Sequence, residues 1–446
     1  MEMGNPREEV LLLLIDIDRK KVMSSQGLSN LLLRYQFGKK QDRAFMTRLL
    51  EGTLEQQIYL DYVLNQFSSK KMEKQKPFIR CLLRMSLYQI LFMEQVPDSA
   101  ACNEAVKLAK KKGFISLSGF INGILRNISR KKDRITLPDE QKNPLLYLSI
   151  RYSIPMWILE YWQKDYPYET VKQMAEASLK NPPTTVRVNL SRASMEEAVK
   201  SLKEEGVSVE KGVYLPYILK IKDYDSLSRL TAFRQGLIQV QDESSALLSH
   251  VANPEKDSLI VDVCSAPGGK SLHLADILKQ KEMEEAGSKD ENKGNGKGNT
   301  AGEKSEVQKT GKGFIISRDV TENKTELIEE NIERCGFDNI RTEVFDGRIL
   351  DEGLIEKADL VIADVPCSGL GILARKNDIK YNASLERIRE LVPLQRQIVK
   401  NAAAYVKPGG ILLFSTCTIS REENEANREW ILNELPFEAE GFERLL

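Results

Sequence analysis

Histidine is almost missing from this chain of 446 residues: there are two, His250 and His273. Neither lies in the two cysteine motifs near the C-terminal end, so a Cys–His hydrolase lacks an obvious base. Cysteine is scarce as well. Six residues without regular spacing make no disulfide framework and fit a reducing, cytoplasmic setting. Apolar runs are short. Val10-Leu11-Leu12-Leu13-Leu14-Ile15 cannot span a bilayer, and no membrane partner is expected. Glu8 and Glu9 precede that run in place of a basic region, which argues against a signal peptide and for the buried stripe of a first helix. Net charge is zero, from 65 basic and 65 acidic residues, yet the balance conceals an asymmetry. Residues 1–137 carry 24 Lys and Arg against 14 Asp and Glu, an excess of +10, which leaves 41 against 51, or −10, for the remainder. A basic N-terminal third suits a polyanion partner; a solvated helical surface that binds nothing fits the same charge equally well.

This length allows two or three domains, and 41% hydrophobic with 29% charged residues is a soluble, globular composition. Residues 1–137 read as a helical bundle. Ile79, Leu82, Leu83, Leu87, Ile90 and Leu91 recur at helical spacing, as do Phe120, Ile121, Ile124, Leu125 and Ile128. Asp98 and Ser99 follow Pro97 and are expected to cap a helix. Residues 138–245 are broken by prolines and read as a small α+β linker domain, with strands at Thr184–Leu190 and Tyr214–Ile221 and a helix at Met195–Glu205. From 246 to 446 strands and helices alternate. The strands are expected at Leu259–Val263, Phe314–Ser317, Thr342–Phe345, Leu360–Ala363 and Ile411–Phe414, and the helices at Ser271–Leu278, Glu322–Cys335, Leu385–Tyr405 and Arg421–Leu435. That alternation predicts a parallel, doubly wound α/β sheet of Rossmann-like type. Lys279–Gly313 breaks the pattern with 8 Lys, 7 acidic residues and 7 Gly but no aromatic, Leu or Ile; it reads as a disordered surface insertion.

Three motifs carry the chemistry. In Asp262-Val263-Cys264-Ser265-Ala266-Pro267-Gly268-Gly269-Lys270 an apolar strand enters a turn of small residues and a helix opens. Glycine lets the backbone approach a ligand closely, and a helix N-terminus adds free N–H donors, so a nucleotide-type cofactor is expected there. An ordinary strand-to-helix turn is the plainer reading of a lone Gly-Gly pair. Three further acids end strands: Asp319, where a carboxylate can bind vicinal ribose hydroxyls, Asp346, which could face the base, and Asp364. Asp364-Val365-Pro366-Cys367-Ser368-Gly369 and Ser415-Thr416-Cys417-Thr418 each bring a cysteine to a strand end. Either thiol alone could be an inert core residue. As a reactive group it must be held as thiolate, attacking an activated electrophile with help from an acid such as Asp364. No residue is assigned to a metal.

Together these three motifs closely resemble the RNA cytosine-5 methyltransferases of the Sun/Fmu type, in particular the bacterial branch acting on small-subunit ribosomal RNA. In that branch the N-terminal domain resembles the antitermination factor NusB, as residues 1–137 do here. Gly236-Leu237-Ile238-Gln239-Val240-Gln241-Asp242-Glu243-Ser244-Ser245 also matches the family's approach to its catalytic domain. The resemblance implies S-adenosylmethionine as cofactor and ribosomal RNA as partner; a monomer is expected, although nothing in the sequence itself fixes the oligomeric state. It implies that Cys264 to Lys270 wrap the methionine end, with Asp319 on the ribose and Asp346 on the adenine side. By the same resemblance Cys417 attacks carbon 6 of cytosine, which makes carbon 5 nucleophilic toward the methyl group. Asp364 stabilises the protonated ring nitrogen, and Cys367 assists release of the adduct after a base, which the sequence does not identify, takes the carbon-5 proton. The target base must be splayed or flipped out of folded RNA.

The chain departs from the family pattern in three places. The insertion at 279–313 is long, Arg318 stands where an apolar residue is expected before Asp319, and the sequence ends at Leu446 without the Asp-Gly-Phe-Phe-like motif of a final hairpin. Five strands are expected where the fold normally has seven. The catalytic motifs leave a transfer RNA methyltransferase open, and a non-catalytic RNA-binding assembly factor would share the same domains. A nicotinamide oxidoreductase fits worst, since the first turn lacks Gly-x-Gly-x-x-Gly and both cysteine motifs would go unexplained.

Overall fold

The structure, a computed structural model, describes residues 4–20, 22–180, 182–290 and 313–440. The chain forms two compact units, one of residues 1–181 with Ile372–Ala383, the other of Pro182–Gly371 with Ser384–Leu446.

The first unit is a helical bundle around the helix Pro77–Phe92. Proline opens this helix where its missing N–H costs nothing. Ile79, Leu82, Leu83, Leu87 and Ile90 are buried, with Leu91 packed at the margin, and Ile121, Ile124, Leu125 and Ile128 close the core from the helix Ser118–Arg130. Gly52 admits the Tyr88 ring: a Cβ there would lie 2.0 Å from the ring's hydroxyl end. Asp98 does not act as a cap. It is the first residue of the helix Asp98–Lys111, and its carboxylate accepts from Ser129 Oγ at 2.6 Å and Lys132 Nζ at 2.9 Å. Those two donors lie in the last turn of the neighbouring helix and just beyond it, a tertiary demand that overrides the local capping signal. Three further helices, Pro144–Tyr152, Met156–Gln163 and Tyr168–Ala177, belong to this unit although the sequence reads them into the linker segment.

The segment Ile372–Ala383 brings a lysine into the helical core. Lys380 is 2% exposed and donates to the Glu55 carbonyl at 2.7 Å, and Tyr381 Oη lies 3.4 Å from Ser153 Oγ. Burial pushes the Lys380 ammonium from 10.5 down to about 7, against the pull of Glu55. Carrying that charge inside costs about 5 kcal/mol on this displacement. Between about pH 7 and 10.5 the unfolded chain holds more protons than the folded one, so this group makes stability rise with pH across that window. Lys380→Met is therefore expected to stabilise the helical unit at pH 6 by about 1–4 kcal/mol, the range for replacing buried charge by apolar volume. The gain should shrink toward pH 10. Urea unfolding followed by helical circular dichroism at both values checks it, and a gain independent of pH would contradict it.

The second unit contains two sheets. The first is antiparallel, in the order β2-β3-β1-β4, from β1 (Thr184–Val188), β2 (Ser208–Lys211), β3 (Ile218–Lys222) and β4 (Ile238–Val240), with the helix Met195–Glu204 beside it. This is the expected α+β domain, with a ferredoxin-like sheet. Its second expected strand starts four residues later than Tyr214, because Val213, Tyr214 and Leu215 instead turn to give their N–H groups to the Glu243 carboxylate. Gln241 in the same segment accepts from the fully buried Arg187, whose charge is met by Asp276 at 2.9 Å. The 236–245 segment is thus a clasp between the sheets, and Gly236, at φ +68°, is required because a Cβ would collide with the Arg334 carbonyl.

The second sheet is parallel throughout, in the order β7-β6-β5-β8-β9, from β5 (Leu259–Asp262), β6 (Phe314–Asp319), β7 (Ile340–Val344), β8 (Ala358–Asp364) and β9 (Val406–Ser415). Strand order reverses between β5 and β8, so the loops leaving their carboxyl ends flank the crevice where such sheets bind ligands. Arg318 does not interrupt β6. It is buried there because Glu343 and Asp351 bind it, at 2.8 and 2.6 Å, and it stacks 4.3 Å above the Phe345 ring. Burial alone would lower its pKa, but those two carboxylates raise it. The expected disorder from Lys279 onward is corrected in part. The helix that opens at Gly269 continues to Asp290, because Lys279–Asp290 is rich in helix formers and is tied down by Lys279 to Asp338 and Lys256 to Glu285. The rest of that insertion lies outside the described residues.

Candidate active site

The loop after β5 is built to stay in one shape. Asp262 is buried and accepts from Ser271 Oγ at 2.8 Å; burial raises its pKa to about 6. Ser265 Oγ lies 2.9 Å from Ser271 Oγ and 2.6 Å from Ser317 Oγ, which ties the loop to β6. The Ala266–Pro267 peptide is cis, and Gly268 has φ +96°, a conformation side chains rarely adopt. The loop leads directly into the helix starting at Gly269. Asp319 Oδ2 accepts from Ala266 N at 3.0 Å, while its Oδ1 takes Val320 N and the half-exposed Lys324. Cys264 packs against the apolar core of the sheet, and burial raises its thiol pKa, so it stays neutral. Asp346 stands apart: it forms a two-pronged pair with Arg348, which lowers its pKa, and that pair faces solvent.

The loops after β8 and β9 meet. Lys270 Nζ reaches Asp364 Oδ2 at 2.5 Å, and Ser415 Oγ donates to Asp364 Oδ1 at 2.7 Å, so both carboxylate oxygens are fixed. Lys270 thereby links the β5 loop to the β8 strand end. Cys367 Sγ lies 3.2 Å from Cys417 Sγ, and the Cys417 N–H points to Cys367 Sγ at 3.3 Å. Gly371 N donates to the Cys417 carbonyl at 3.1 Å, and a Cβ at Gly371 would press on that oxygen. Of the two thiols Cys417 is the exposed one. Cys367 is pushed well above the ordinary thiol range, first by its hydrogen bond to Cys417 and then by burial. Cys367 therefore stays neutral, and Cys417 is the thiol more open to solvent.

Sequence reasoning finds both thiols, Asp364 and the 264–270 turn, and these come together on one side of the sheet. It misses the buried polar residues behind them. Ser271, Ser317, Gln395 and Glu423 read as ordinary polar positions of strands and helices, and the one available signal was the density of serine and threonine beside each motif.

Residues 4–130 match the NusB family, residues 154–226 the ferredoxin-like domain of RsmF/B-like methyltransferases, and residues 297–437 the 16S rRNA methyltransferase RsmB/F family. The chain is 34% identical over 410 residues to the probable ribosomal RNA small subunit methyltransferase B of Bacillus subtilis, a match covering 91% of this chain and 84% of that protein. A protein of the same description from Synechocystis is 30% identical over 437 residues, 97% of this chain and 90% of its own length. Among solved structures, the crystal structure of PH0851 superposes with a TM-score of 0.75 at 25% identity, over 98% of this chain and 91% of that one. With a NusB-type helical unit, a ferredoxin-like sheet and a parallel methyltransferase sheet in that order, the chain belongs to the ribosomal RNA small subunit methyltransferase B family, of Sun/Fmu type.

Proposed function

We propose that this protein methylates carbon 5 of a specific cytosine in small-subunit ribosomal RNA, with S-adenosylmethionine as methyl donor and Cys417 as covalent nucleophile. The observation that carries this reading is the 3.2 Å pair of thiols at the crevice of the sheet, Cys417 the more exposed of the two, beside an acid fixed by two donors. A reactive thiol pair suits a reducing compartment, hence the cytoplasm. The residues present suit the cofactor. The Cβ-free turn at Gly268 and Gly269 permits close approach, the following helix offers free N–H donors, and Asp319 needs only the mobile amine of Lys324 to move aside for a ribose diol. Cys264 to Lys270 would line the methionine end and Asp346 the adenine side once its surface pair with Arg348 opens. When bound, S-adenosylmethionine supplies a methyl group activated on a sulfonium.

The remaining chemistry belongs to the chain. Cys417 thiolate adds to carbon 6, and the electron pair moves into the ring toward carbon 5. Asp364, already held by Lys270 and Ser415, stabilises the proton on the ring nitrogen. Carbon 5 takes the methyl group, solvent water takes the carbon-5 proton, and the freed C–H electron pair restores the ring double bond as Cys417 leaves as thiolate and the ring nitrogen gives back its proton. Once Cys417 is bonded to carbon, Cys367 no longer shares a hydrogen with it, and its thiol is free to take part in that last step.

Gly268→Val tests the cofactor loop. A β-branched side chain at φ +96° is strained, and its Cβ would lie 3.1 Å from Ile328 Cγ2. Affinity for S-adenosylmethionine is expected to fall by about tenfold or more, measured by calorimetry, with helical circular dichroism unchanged. Unchanged affinity in the folded variant would remove this loop from the site. The substrate is tested by bisulfite sequencing of RNA from a deletion strain. Loss of one ribosomal cytosine mark supports the proposal, loss of a transfer RNA mark makes the protein a transfer RNA enzyme, and no loss leaves an assembly factor.

A further inference from the structure

Behind the thiol pair stands a carboxylate with no exposed surface, Glu423. Its Oε1 accepts from Ser368 N at 2.8 Å and Gln395 Nε2 at 2.9 Å, and its Oε2 accepts from Ser368 Oγ at 2.5 Å. Gln395 Nε2 also donates to the Pro366 carbonyl at 2.9 Å. The residues on both sides of Cys367 are therefore gripped by one Glu–Gln pair. Asn427 locks that pair from behind, donating to Gln395 Oε1 at 2.7 Å and to the Glu423 carbonyl at 3.0 Å. The clamp also reaches the other thiol's loop. Ser368 Oγ lies 2.7 Å from Thr418 Oγ1, and Thr418 follows Cys417 directly.

We propose that Glu423 is a positioning residue for the release step: through Ser368 and Gln395 it sets the distance between Cys367 and Cys417 at which the covalent adduct breaks down. The inference rests on the covalent mechanism above. A buried carboxylate is costly unless its lone pairs are used, and here they are used on the Ser368 N–H, the Ser368 hydroxyl and the Gln395 amide that holds the Pro366 carbonyl. Among the described residues Glu423 makes no hydrogen bond to the β5 loop or to Asp364, so cofactor binding does not depend on it, and it reaches the Cys417 loop only indirectly, through Ser368 and Thr418. Glutamine at this position keeps the arrangement. Its oxygen can accept from Ser368 N and Gln395, and its amide can donate to Ser368 Oγ, which then turns its proton to Thr418.

The test uses the full-length protein, S-adenosylmethionine and small-subunit ribosomal RNA transcribed in vitro from the gene of the same organism. Glu423→Ala is expected to raise the covalent protein–RNA complex on denaturing gels about tenfold over wild type and to lower steady-state turnover about tenfold. Affinity for S-adenosylmethionine should stay within about twofold and the single-turnover methylation rate within about threefold, because those steps precede release. Glu423→Gln should restore wild-type turnover. Glu423→Ala combined with Cys367→Ala should trap no more complex than Cys367→Ala alone, the non-additivity expected of two residues acting as one. If Glu423→Ala does not fold, Ser368→Ala removes only the hydroxyl arm of the clamp and must still raise the trapped complex. Wild-type levels of complex in these variants, while Cys367→Ala traps it, would overturn the inference alone. So would a parallel loss of cofactor affinity, transfer and turnover, which marks a merely structural residue. A Cys367→Ala protein that traps nothing would remove the release reading itself, and this inference with it.

Discussion

Cys417→Ala is expected to abolish methylation, lowering incorporation of labelled methyl groups into ribosomal RNA by at least about a thousandfold, the scale on which loss of a covalent nucleophile acts. The reason lies in the ring. Carbon 5 of cytosine is a poor nucleophile until a group adds at carbon 6, and alanine offers nothing to add. The fold gives no substitute: Cys367 is the sole other thiol of the pair and is held protonated, and Asp364 is committed to Lys270 and Ser415. No covalent complex should form with this variant. Because Cys417 is exposed, its replacement leaves no cavity, and melting should follow the wild type. Activity of Cys417→Ala within tenfold of wild type would exclude Cys417 as the nucleophile.

Cys367→Ala should fail in the opposite way. Attack and transfer remain possible, since Cys417 keeps its exposure and Asp364 its partners, but breakdown of the adduct loses its assisting group. A covalent protein–RNA complex is expected to dominate on denaturing gels under conditions where the wild type shows little. Turnover should drop by about a hundredfold or more, the usual scale for losing a group that moves a proton. A complex trapped by Cys417→Ala, with Cys367→Ala turning over freely, would invert the two roles.

Sequence pattern alone located the catalytic sheet closely, and the reason is physical. Strands buried on both faces, such as Leu259–Asp262 and Ala358–Asp364, must be continuous apolar runs, and the helices Glu322–Cys335 and Leu385–Tyr405 were bounded as expected by their own periodicity. The short edge strand Ser208–Lys211 escaped because its polar, largely exposed residues leave no alternation to see. The strand Ile238–Val240 escaped because three residues carry too little pattern. Helix content beyond Leu278 was hidden by composition: a stretch without Leu or Ile looks unable to fold, yet Lys279–Asp290 extends a helix already nucleated by buried Leu272, Leu274, Ala275 and Leu278. In the site, the two thiols and Asp364 were legible because unusual residues recur at strand ends. Glu423 was not. Within Arg421-Glu422-Glu423-Asn424-Glu425 nothing in the sequence separates the one acid that is fully buried from its neighbours. Its partners Gln395 and Ser368 are 28 and 55 positions away.

The most direct test of covalent catalysis by Cys417 is to identify the bond itself. The complex trapped by Cys367→Ala on small-subunit ribosomal RNA would be digested with protease and nuclease and the linked peptide sequenced by mass spectrometry. A methylated cytidine attached to the peptide at Cys417 is the predicted result. Attachment at any other residue, or a complex that carries no methylated cytidine, would contradict it.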